Sequence, residues 1–216
     1  MPGIAVETVL MTISGDALRT LLLRPEGGAW QLPRGAVGRR EPLRRSAERV
    51  IAEQVGIHVD YLEQLYTFGN TVPDAGEREI EICYYGLVPT SLVDLAASDG
   101  IQRAWFAERE LTVLPPLEEK IVLRACQRLR GKLSYTAVGF ELLPEQFTLV
   151  ELQQLYEIIL GKRLDKRNFR RRIAELGILE STGAERVQPR GRPAALFSFK
   201  PEVFERLESR GDILAF

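Results

Sequence analysis

The chain has 216 residues, 29 basic and 30 acidic side chains and a formal net charge of −1, a balance that excludes a basic coat for nucleic acid. Its 45% hydrophobic and 27% charged residues indicate a globular protein with one large or two small cores. No run approaches the roughly 20 apolar residues of a membrane helix, and no basic-then-apolar signal opens the chain, so no membrane partner and a cytoplasmic location are expected.

Two cysteines far apart, Cys83 and Cys126, suggest buried thiols in a reducing compartment and exclude a disulfide framework or a zinc site. His58 stands alone, which argues against a His-ligated metal or a Ser-His-Asp triad and leaves it a surface or edge residue. In chain order, residues 4–12 and 18–24 are β-rich runs around Ser14-Gly15-Asp16 and read as a hairpin. Gly27-Gly28 breaks the chain. A helix is predicted from about Pro42, in its first turn, to Val55, with Gly56 as its stop. YLEQLYTFGN and EIEICYYGLV read as strands, Asn70–Glu77 as a loop and Ala104-Trp105-Phe106 as a further short strand. Pro115-Pro116 opens a helix with Leu117, Ile121 and Ala125 at helical spacing.

The remaining third changes character. LSYTAVGFELLPEQ reads as a linker, so the expected division is 1–130, a linker over 131–146, and a second domain over 147–216. Thr148 caps a helix whose apolar stripe is Leu149, Leu152, Leu155, Tyr156 and Ile159, ended by Gly161. Asp165 caps a second helix, KRNFRRRIAEL, ended by Gly177. ILEST and AALFSFK then read as two strands. Helix, turn, basic helix and hairpin is the order of a winged helix-turn-helix; the helix ending near Leu129, shared with the preceding domain, is the candidate for its first helix, an assignment the sequence alone leaves open.

Between Lys162 and Arg172 lie seven basic residues: Lys162, Arg163, Lys166, Arg167, Arg170, Arg171 and Arg172. A wheel with Phe169, Ile173 and Leu176 inward puts Arg167, Arg170 and Arg171 on the opposite face beside the small Ala174. Lys166 and Arg172 flank the stripe, and Asn168, able to read adenine, lies to one side. Arginine forks for guanine edges and phosphates are what a major-groove reader needs. A charge run is ordinarily a solvated face; the preceding helix and following hairpin favour DNA contact here. Arg190 and Arg192, at the hairpin tip, suit phosphates or a narrow minor groove.

The segment from Trp30 to Ile57, WQLPRGAVGRREPLRRSAERVIAEQVGI, resembles the Nudix box. Gly35, Glu41, Arg49, Ile51, Glu53, Gly56 and Ile57 match it, behind Trp30-x-Leu32-Pro33. The resemblance implies an α/β/α sandwich for the first 130 residues, a cleft for a nucleoside diphosphate and a structural brace between Glu41 and Arg49. It also implies Mg²⁺ on three glutamates at i, i+3 and i+4, but Val50 and Gln54 replace two of them and leave Glu53 as the one retained candidate ligand. Mg²⁺ wants several oxygen ligands, and diphosphate displacement depends on metal and positioned charge, so no catalytic residue is assigned and any Mg²⁺ binding is expected to be weak. Arg34, Gly35, Arg49 and Glu53, in the loop and helix beside the cleft, are the expected ligand contacts, with Arg49 in competition for Glu41.

A degenerate Nudix box followed by FTLVELQQLYEIILGKRLDKRNFRRRIAELGILE and GRPAALF resembles the NrtR family, Nudix-related transcriptional regulators of NAD metabolism. YLEQLYTFGN and GKLSYTAVGFELLPEQF carry the resemblance over nearly the whole chain. It implies an α/β Nudix-like sandwich with a C-terminal winged helix-turn-helix, and a homodimeric repressor of NAD synthesis or salvage genes. ADP-ribose would be the effector that releases double-stranded operator DNA, with no required cofactor. The chain departs from the family in Arg34-Gly35, where Gly-Gly is common, and in the basic run Arg39, Arg40, Arg44 and Arg45. Two other readings compete: a working Nudix pyrophosphohydrolase with a DNA-binding appendage, and a repressor of the same architecture that senses a pentose metabolite.

Overall fold

The computed structural model describes residues 3–71, 78–92, 100–187 and 193–208. They divide into two compact units, 3–14 with 18–126, and 15–17 with 127–208.

The first unit is built on one mixed sheet. β1 (Gly3–Ser14) and β2 (Ala17–Arg24) flank the expected turn, where Gly15 takes φ +65°, a conformation open to glycine at little cost. β3 is the short Arg34–Ala36. Helix α1 (Leu43–Gln54) follows, with Pro42 at its N-cap and Gly56 at φ +80° just beyond its end. β4 (Tyr61–Thr71), β5 (Arg78–Leu87) and β6 (Gln102–Ala107) complete the order β4-β5-β1-β2-β6, with β3 antiparallel to β1. The expected loop over Asn70–Glu77 begins later than the sequence suggests, because β4 pairs with β5 through Thr71; the rest of it lies outside the described residues.

Side chains alternate across β1. Val6 and Leu10 point to α1 and join Ala47, Val50, Ile51 and Val55 in one apolar cluster with Leu21 and Leu23 of β2. Glu7 and Val9 therefore face the other way. On that side α2 (Pro116–Lys132) buries Ile121, Val122 and Ala125 and sets Arg124 over the Tyr66 ring at 4.2 Å. Helices on both faces of the sheet give the α/β/α sandwich. Cys83 and Cys126 are buried free thiols, and His58 is exposed beside Asp60 at 3.4 Å.

Helix α2 runs across the division, and its end belongs to the second unit, where Arg130 Nε donates to Ile159 O at 2.9 Å. The stretch 131–146 differs from the expected linker. It contains the end of α2 and a 3-10 turn at Val138–Leu142 whose Val138, Phe140 and Leu142 are buried. Phe140 stacks on Phe199 with centroids 4.0 Å apart, so these apolar side chains close the core of the second unit. The spacing in VGFEL is too short for a helical or strand pattern, which is why it reads as loop.

Helices α3 (Leu149–Leu160) and α4 (Lys166–Leu176) have the expected caps. Thr148 and Glu151 form a reciprocal capping box, Asp165 accepts from Asn168 N, and Gly161 and Gly177 end the helices at φ +66° and +62°. Strands β7 (Leu179–Arg186) and β8 (Ala194–Phe199) form the wing, and Phe147 adds a bridge to Phe197. β7 is longer than ILEST, with a bulge between Ser181 and Glu185 around Gly183 at φ +73°. A last helix, α5 (Pro201–Glu208), was not expected from the sequence.

Candidate effector cleft and nucleic-acid interface

The box residues are bonded to one another. Arg49 Nη2 lies 3.1 Å from Glu41 Oε2 and donates to Ala36 O at 2.9 Å, while its Nη1 reaches Glu53 Oε2 at 3.2 Å. Ser46 Oγ also donates to Glu41 at 2.7 Å. These hydrogen bonds from Arg49 and Ser46 hold the Glu41 carboxyl below its usual range. The brace between loop and helix is therefore intact, and Arg49 is committed to it.

Val50 is 1% exposed and points under β3, where a Cβ added to Gly35 would lie 2.6 Å from its Cγ2. Glycine is required there for this close approach. Gln54 is spent on the backbone: its Nε2 donates to Arg34 O at 2.7 Å and its Oε1 accepts from Arg34 N at 3.2 Å. Of the three ligand positions, one offers no donor, one is bonded to β3, and Glu53 is an exposed carboxylate paired with Arg49. This donor set does not fit Mg²⁺. Among the described residues no group of three or more acidic, cysteine or histidine side chains is arranged to hold a metal ion.

Arg34 reaches the sheet instead of the box. Its guanidinium pairs with Glu79, and its Nε lies 3.4 Å from Glu81 Oε1. Behind it, Glu7 is opposite Arg34 in the β1–β3 register and opposite Cys83 in the β1–β5 register. Glu118 of α2 accepts from Leu32 N at 2.7 Å. Burial, then the charges of Glu118 and Glu81, push the Glu7 carboxyl up to about 8. Sequence reasoning passed over Glu7, Glu79, Glu81 and Glu118. The alternation Glu79-Ile80-Glu81-Ile82 was a signal that two acids share one face of a strand.

In the second unit α4 presents two faces. Phe169, Ile173 and Leu176 are buried, and the Phe169 ring meets Tyr156 of α3 edge-on at 5.7 Å. Lys166, Arg167, Asn168, Arg170 and Arg171 are exposed, with Ala174 among them, and Arg172 is half-buried at the margin. Arg171 and Arg172 lie 3.8 and 4.0 Å from Glu175. The wheel drawn from the sequence matches this arrangement. Arg190 and Arg192 lie outside the described residues.

Two family models match the chain: the NUDIX domain over residues 5–125 and the NrtR DNA-binding winged helix domain over residues 139–199. An ADPR responsive transcriptional repressor NtrR of Acinetobacter baylyi is 31% identical over 212 residues, covering 94% of this chain and 84% of the relative. The chain belongs to the NrtR family. Shewanella oneidensis NrtR, solved with a 27mer DNA, superposes with a TM-score of 0.80 at 31% identity, covering 94% of this chain and 95% of that one. The NUDIX domain of the same NrtR, solved with ADP ribose, matches 60% of this chain and 89% of its own at 25% identity and a TM-score of 0.52. The winged-helix model of the family begins at Gly139, inside the buried 3-10 turn, in keeping with that turn being part of the NrtR winged helix rather than a linker.

Proposed function

We propose that the chain is a homodimeric cytoplasmic repressor that binds operator DNA through α4 and the wing, and that ADP-ribose in its Nudix unit releases the DNA. The observation that carries the reading is the exposed face of α4. Three arginines and a small residue project from a helix whose other face is fixed by Phe169, Ile173 and Leu176. The arginines bind phosphates and guanine edges, Lys166 and Arg172 grip the backbone from the flanks, and Asn168 reads an adenine. Arg190 and Arg192 supply the wing contacts. The relatives named for ADP-ribose response or solved with DNA and ADP ribose support both halves of the reading.

The Nudix unit binds its effector without hydrolysing it and needs no Mg²⁺, because Val50 and Gln54 leave Glu53 as the one carboxylate at the three metal-ligand positions of the box. Genes of NAD synthesis or salvage are the proposed targets. The test is the full chain with Arg167, Arg170 and Arg171 replaced together by Ala, measured on the DNA upstream of its own gene over a range of salt. Loss of a base-reading arginine should cost roughly 1–3 kcal/mol at one base pair, and loss of a phosphate contact should flatten the salt slope by about one unit. Unchanged affinity and salt slope in the triple variant would show that α4 is not the recognition helix.

A further inference from the structure

The positive charge of the chain is gathered in two places. Residues 162–172 carry seven basic side chains and one acid, and residues 39–49 carry five and two, whereas the rest of the chain has 17 basic side chains against 27 acidic. The first stretch leads into α4, the proposed DNA reader. The second lies in the Nudix unit, and only its Arg49 belongs to the brace. Arg39, Arg40, Arg44 and Arg45 are all exposed. Few acids answer them: Glu48 takes both Arg44 Nε at 2.9 Å and Arg45 Nη1 at 3.2 Å, and Glu41 is held by Arg49 and Ser46. Among the described residues the side chains of Arg39 and Arg40 make no hydrogen bond or ion pair.

Stability does not account for this run. Arg44 and Arg45 sit in the first turn of α1, which has no acid and no side-chain cap, and that positive end of a helix is stabilised by acids rather than by arginines. Like charges crowded on one surface also repel one another. The run lies apart from the box positions as well. Arg44 precedes Glu53 by nine residues, about half a turn round the helix, and its Nη1 donates to Leu62 O beside β4 at 2.8 Å.

We propose that Arg39, Arg40, Arg44 and Arg45 form a second DNA-binding surface, which holds backbone phosphates of a duplex without reading its sequence. The surface rests on the reading of the chain as an operator-binding protein. All four side chains are arginine, whose planar fork matches a phosphate in pairs of hydrogen bonds. A duplex carries one negative charge per about 1.7 Å of its axis, so phosphates are on offer well beyond those that α4 covers. They come either from the flanks of the operator or from a second duplex. Contacts of this kind add affinity and carry no sequence information.

The test compares four full-length chains: the unmodified protein, Arg39→Ala with Arg40→Ala, the α4 triple variant, and the two sets combined. Each is titrated with its operator and with a scrambled duplex of the same length over about 50–200 mM salt. Replacing Arg39 and Arg40 should flatten the salt slope by about two units, roughly 0.9 for each phosphate given up, and weaken both duplexes about ten-fold at the low-salt end. The preference for the operator should not change. Arg39→Lys with Arg40→Lys, which keeps the charge, should keep the slope. A loss confined to operators extended beyond the half-sites would assign the phosphates to the flanks. A second duplex bound by the unmodified chain and not by the double variant would assign them to another DNA molecule. Unchanged affinity and salt slope in the double variant, with operator preference lost in the triple variant, would overturn the surface and leave α4 as the reader. A flattened slope in the double variant with no effect of the triple variant would keep the surface and remove α4 as the recognition helix. No binding of either duplex by the unmodified chain would overturn both.

Discussion

Gly35 and Val50 share one small space, with the glycine lying against the valine Cγ2 where a Cβ would come within 2.6 Å. Gly35→Ala should therefore destabilise the first unit by roughly 1–3 kcal/mol, the usual cost of overpacking, read as a lower midpoint in thermal unfolding. The same contact makes the box hard to restore, since Val50→Glu would put a carboxylate under β3 and Gln54→Glu would lose the donor to Arg34 O. With Mg²⁺ present, the unmodified chain should hydrolyse ADP-ribose far below the enzyme median of about 10 s⁻¹; a rate near that value would contradict the sensor reading. Glu7 gives a pH-dependent prediction. Its folded value of about 8 lies above the ordinary 4.5, so between the two the native state holds a proton that the unfolded chain has released. Stability should fall across that window by at most about 1.4 kcal/mol per pH unit and level off above about 8. Glu7→Gln should remove that slope, and denaturant titrations at pH 5 and 8 that show the same slope in both proteins would contradict the assignment.

Helix α4 is where sequence and structure agree most closely, because every feature that defines it is local. Asp165 caps it, Gly177 ends it, and Phe169, Ile173 and Leu176 repeat at helical spacing. Phe169→Ala should cost roughly 3–5 kcal/mol, as for a buried core aromatic, whereas Arg170→Ala should leave the melting temperature nearly unchanged while weakening DNA binding. Asp165→Ala should cost about 1 kcal/mol through the lost cap. The Nudix brace was legible for the same reason, with Glu41 and Arg49 at a fixed spacing across one loop. Elements that depend on distant partners were not. The stretch 131–146 looks like a linker until Phe140 is seen on Phe199, and α5 is short enough that its Phe204 carries little periodic signal. The acids around Arg34 come from β1, β5 and α2, so only the sheet register brings them together.

At the scale of the whole molecule, the chain joins a Nudix unit with Val50 and Gln54 at two of its box positions to a winged helix. In the proposed repressor, ligand binding in the first changes DNA binding in the second, and linkage then requires that DNA weaken ligand affinity by the same factor. A homodimer would carry two copies of α4 into successive major grooves, so the operator should be a near-palindrome with half-sites about 10 base pairs, or a multiple of that, apart. Footprinting on the upstream DNA measures that spacing directly. The central claim, that a nucleotide effector controls DNA binding, is tested by fluorescence anisotropy of the full chain on a labelled operator while ADP-ribose is titrated at fixed salt. The account predicts release of the DNA as ADP-ribose rises, with no release by ADP at the same concentration; an operator that stays bound at saturating ADP-ribose would contradict it.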